Sequence, residues 1–77
     1  MQTVREFTGH LWAIVNIIII DSKTFSSLDD WNIDEVKKNA LWQGTNNQLL
    51  SCTADEINNK IVGSFGVMDN YLIIEVK

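Results

Sequence analysis

The run from Leu11 to Ile20 reads Leu-Trp-Ala-Ile-Val-Asn-Ile-Ile-Ile-Ile, with Asn16 its only polar residue. Ten residues at about 1.5 Å each cross about half of a bilayer core, so the run is too short for a transmembrane helix. The six Ile and Val residues between positions 14 and 20 favour a strand, because branched side chains are stiff at χ1 and pack well on a pleated surface. In a strand, Leu11, Ala13, Val15, Ile17 and Ile19 share one face, and Trp12, Ile14, Asn16, Ile18 and Ile20 share the other. Both faces are apolar, the pattern of a central strand covered on both sides. The later helices read as few and short, so a second cover is expected from another chain.

Around this strand the chain divides into a small set of elements. Residues 1–7 read as a first strand joined to it by the Gly-containing loop 8–10. Residues 21–31 read as a surface loop folded back on the domain, because Phe25, Leu28 and Trp31 are too apolar to stand free in water. A helix over 33–43 follows from Asn32 as N-cap, Glu35 as its capping-box partner, Trp31 and Val36 as a hydrophobic staple, and Gly44 as a stop. Residues 45–51 are a turn followed by either a short strand or a packed linker. A second helix over 54–62 repeats the grammar, with Thr53 as N-cap, Glu56 as box partner and Gly63 as stop. Two strands, 64–68 and 71–76, close the chain around the turn Asp69-Asn70. The expectation is one α+β domain over 1–77, with four or five strands in the order β-β-α-α-β-β and two short helices packed on one face of a mainly antiparallel sheet.

At 77 residues the chain buries only about 60% of its unfolded surface, so its stability is marginal and self-association is a natural expectation. The net charge of −4 and the scatter of Arg5, Lys23, Lys37, Lys38, Lys60 and Lys77 argue against a nucleic-acid binder, which needs clustered cations. An acidic chain suits a partner with a basic surface instead. Cys52 is the only cysteine, which excludes an internal disulfide and a paired-cysteine metal site, and points to a reducing cytoplasm. The segment Met1 to Phe7 carries Glu6 beside Arg5 and leads to no small-residue cleavage site, unlike a secretory signal. No membrane association is expected.

Few residues point to chemistry. Cys52 and His10 are a nucleophile and a base on paper, but a lone cysteine before a helix is normally a small apolar contact, and His10 lies beside a turn glycine. Asp29, Asp30, Asp34 and Glu35 lack the alternation and central glycine of a calcium loop, and no glycine precedes a Lys-Ser or Lys-Thr pair. No cofactor and no metal are therefore expected, and no catalytic residue is assigned. Trp42 lies just off the apolar stripe of its helix; core packing is the commoner role for such a residue, but a partly exposed tryptophan is also a common interface anchor, whereas Trp12 and Trp31 have core explanations.

The expected function is a small acidic protein-interaction module that binds and blocks a partner as inhibitor or regulator. Its candidate contacts are Trp42, Asp29, Asp30, Asp34, Glu35, Asp55 and Glu56. The absence of Pro, the ten Ile and the five Lys against one Arg fit the composition of phage and mobile-element genes, among which anti-defence inhibitors of the anti-CRISPR kind are one instance. The alternatives are a homodimeric structural or regulatory subunit and a small thiol enzyme using Cys52 and His10.

Overall fold

The computed structural model describes residues 2–27, 32–51 and 55–77. Its centre is β1 (Asn16–Asp21), the second half of the apolar run. Ile17, Ile18, Ile19 and Ile20 are all fully buried. Each such side chain contributes about 1.5–3 kcal/mol when taken out of water, so β1 anchors the fold. It lies between β2 (Trp42–Thr45), with which it is antiparallel, and β4 (Tyr71–Val76), with which it is parallel. β3 (Val62–Met68) pairs antiparallel with β4 and completes a sheet of order β2-β1-β4-β3.

The chain supplies its own cover on both faces of this sheet. On the first face Ile17, Ile19, Ile74 and Val76 meet Val4 of α1 (Val4–Thr8), Leu49 of α4 (Asn46–Ser51) and Ile57 of α5 (Asp55–Asn58). On the second, Ile18, Ile20 and Ile73 meet Phe25 of α2 (Ser22–Ser27) and Ile33 and Val36 of α3 (Ile33–Lys38). The α+β class is as expected and antiparallel pairings predominate. Helices on one face only, and a second cover from another chain, are not what the molecule has.

Several boundaries move, each for a local reason. Residues 1–7 were expected as a strand, yet Thr3 and Glu6 form a full capping box that starts α1. Glu6 N–H donates to Thr3 Oγ1 at 3.2 Å, and Thr3 N–H donates to Glu6 Oε1 at 3.0 Å. The expected loop 21–31 begins with α2, where the Asp21 carboxylate accepts from Thr24 N–H at 2.7 Å; Leu28 and Trp31 lie outside the described residues. The helix expected over 33–43 starts where it should, with Asn32 Oδ1 accepting from Glu35 N–H. It stops at Asn39, whose side-chain amide donates to Glu35 O at 2.8 Å. Leu41 N–H then donates to Ile19 O, and the chain enters β2.

Gly44 is consequently a strand residue and not a helix stop. A Cβ there would come within 2.9 Å of the Trp42 ring and 2.7 Å of Gln48 Oε1, so any other residue must displace these side chains. Of the ambiguous stretch 45–51, Thr45 ends β2 and Asn46–Ser51 is helical, because Thr45 and Gln48 form a second reciprocal box, with bonds of 2.8 and 3.2 Å. α5 falls inside the expected 54–62 helix, but Val62 already belongs to β3 and Gly63 sits at an irregularity in the pairing. The terminal hairpin is as expected, and Asp69 and Asn70 both take the positive φ that a tight two-residue turn requires.

Candidate interaction surface

Among the described residues, those singled out in the sequence do not gather at one place. Trp42 is half-buried on β2, opposite Ile19, and packs on the core of the first face. Asp34 and Glu35 open α3 on the second face, while Glu56 is exposed on α5, whose Ile57 packs on the first. The sheet separates α3 from α5, so Asp34 and Glu35 lie across it from Glu56; the Asp55 side chain is outside the described ones. Asp29, Asp30 and Cys52 lie outside the described residues, and His10 is exposed on a turn. Among the described residues no three His, Cys, Asp or Glu side chains are grouped to hold a metal ion, and no helix is long and apolar enough to cross a membrane.

Exposed apolar side chains concentrate instead on the segment before β1 and on β3. Residues 11–15 do not extend the strand. Trp12 to Val15 is a turn closed by Val15 N–H donating to Trp12 O at 3.2 Å, and Trp12 and Ile14 are each 78% exposed. The first turn of α4 holds this segment in place. Asn46 is fully buried, and its Nδ2 amide faces the carbonyls of Thr8, Leu11 and Trp12 at 3.0, 3.1 and 3.3 Å. Asn46 N–H donates to Val15 O, and Asn47 N–H to Ala13 O. Three converging carbonyls fix the amide orientation, since the flipped group would set oxygen against oxygen. Asn46 Oδ1 is then buried with no hydrogen-bond partner among the described residues, the cost of using the amide as a clamp.

Trp12, expected in the core, stands in solvent, whereas Trp42 is half-buried against the core of the first face. No local signal reveals this, because the bonds that pull Trp12 out of the strand come from a residue 34 positions away. On β3, Phe65 and Val67 are 62% and 76% exposed, and the Phe65 ring lies 4.8 Å from the Phe7 ring of α1. A shallow groove of about 170 Å³ lined by Phe25, Gly66, Met68 and Ile73 flanks the strand on the second face. No family model matches the chain, and no curated protein or solved structure matches it either. Fold and surface together define a small α+β domain with apolar side chains held outward at a fixed turn.

Proposed function

We propose that this chain is a protein-interaction module, an inhibitor or regulator that acts by occupying a partner's surface and carries out no catalysis. The observation that supports this reading is the Trp12–Val15 turn, with Trp12 and Ile14 each 78% exposed on backbone tied down by Asn46 and Asn47. Tryptophan is enriched among the residues that dominate binding energy. A turn already fixed by hydrogen bonds loses little conformational freedom when it binds, which favours affinity. The net charge of −4 suits a partner with a basic surface, and blocking of a host defence complex by a phage or mobile-element protein is one such role.

The test compares the protein with a Trp12→Ala, Ile14→Ser double variant. Both side chains are solvent-facing, so the variant is expected to keep its circular dichroism and thermal midpoint while losing the proteins captured by the immobilised wild type from a lysate. Capture of the same proteins by the variant would remove Trp12 and Ile14 as the anchor.

A further inference from the structure

We propose that β3 pairs edge to edge with β3 of a second copy of this chain, antiparallel about a two-fold axis at Gly66, to make one continuous sheet from two. This rests on the edge of the sheet and not on the Trp12 turn, which precedes β1, two strands away from that edge.

The backbone geometry sets the register. Asp69 and Asn70 make a two-residue turn, so Met68 and Tyr71 are its closing hydrogen-bonded pair. Hydrogen-bonded and open positions then alternate: Gly66 bonds inward to Ile73, while the N–H and C=O groups of Phe65 and Val67 point away from the sheet. With Gly66 on the axis, Phe65 of each copy stands opposite Val67 of the other, and each such pair exchanges both backbone bonds. The side chains facing one another are an aromatic and a β-branched residue, a favourable cross-strand combination. An axis at Phe65 would run the pairing into the irregular step between Val62 and Ser64, and one at Val67 would run it off the strand end at Met68.

Charge and area both bear on the occupant. β3 has no Lys, Arg, Asp or Glu from Val62 to Met68, so it offers nothing to select a charged peptide, and meeting its own copy sets no like charges opposite one another. The strand also lacks proline and inward-pointing charge, the devices that protect exposed edges from pairing. Val62 N–H already donates to Gln2 O, so the free edge runs from Gly63 to Met68; at about 3.3 Å per residue it is about 20 Å long, and a strip about 10 Å deep gives roughly 200 Å² per copy, or about 400 Å² for the pair. That is well under the ~1,000 Å² of a lasting interface, so the dimer is expected to be weak, to form toward millimolar concentration and to dissociate on dilution.

Sedimentation equilibrium of the full chain from micromolar to millimolar concentration tests this. The expected mass rises from 8.8 kDa toward twice that value. Val67→Lys, at a solvent-facing position, is expected to stay monomeric throughout with an unchanged thermal midpoint. A Cβ at Gly66 meets no other atom within 4 Å, so Gly66→Cys in a Cys52→Ser background is expected to fold and, on mild oxidation, to link into a covalent dimer. A monomer at millimolar concentration, a dimer that survives Val67→Lys, or a dimer whose Gly66→Cys form does not cross-link would each overturn the proposal.

Discussion

The two edges of the sheet are built in opposite ways. β2 is four residues long and turns directly into α4 through the Thr45–Gln48 box, with the Trp42 ring lying over Gly44. β3 is seven residues long, carries two glycines, and is exposed from Gly63 through Val67. Shortness and an abrupt helix protect an edge strand from adding a neighbour, and β3 has neither. In a chain small enough for stability to be marginal, leaving one edge open while closing the other concentrates the capacity for pairing on a single side.

The closed side should break most severely. Asn46→Ala removes the amide that ties together the carbonyls of Thr8, Leu11 and Trp12; Thr8 O and Trp12 O keep backbone donors, and three hydrogen bonds at about 1 kcal/mol each cost about 3 kcal/mol. For a domain of this size that is a fall in thermal midpoint of about 12 °C or more, measurable by calorimetry. A change under about 2 °C would mean that the turn before β1 is not held by this side chain. Gly44→Val comes next: its side chain must displace the Trp42 ring, a loss of about 1–3 kcal/mol accompanied by a changed near-ultraviolet circular dichroism spectrum. An unchanged spectrum would remove Trp42 from its place over Gly44.

How much of this was legible depends on the range of the interactions. The apolar run announced a central strand, Asn32 and Glu35 a helix start, and Asp69-Asn70 a hairpin, each from signals within a few residues. Thr3-x-x-Glu6 and Thr45-x-x-Gln48 are written in the same capping grammar, but the helices they start have five and six residues, too few to show an apolar stripe. The end of α3 at Asn39 depends on one side-chain bond to Glu35 O, while the Ile33, Val36, Ala40 spacing continues to look helical. The exposure of Trp12 depends on Asn46 reaching across 34 to 38 positions, and no window of sequence contains that.

The open side is expected to respond more mildly. Phe65→Ala removes the ring contact with Phe7 at 62% exposure, a loss of about 1 kcal/mol, and denaturant unfolding would register it as a lower midpoint with an unchanged slope. A loss above 3 kcal/mol would show that Phe65 belongs to the core and that the edge is less open than its exposure indicates.

The smallest effect separates the two sides by their titration. Behind the open edge, the helix that carries Phe7 is capped by Glu6, whose carboxyl is held below its ordinary 4.5 chiefly by the Thr3 backbone N–H. A folded-state pKa below the unfolded one means that the contribution is fully present above the ordinary value and is lost as pH falls through the folded one. Asp21, lowered from 3.8 by Thr24 at the start of α2, follows the same sign. The box at the closed edge uses Thr45 and Gln48, neither of which titrates. Followed by NMR from neutral pH into acid, the Thr3 and Thr24 amide signals should shift with midpoints below 4.5 and 3.8 respectively, while the Thr45 and Gln48 amides stay fixed until global unfolding. If all four moved together, the two helix starts would not be independent, and acid would unfold the molecule as a whole before it loosened α1 behind β3.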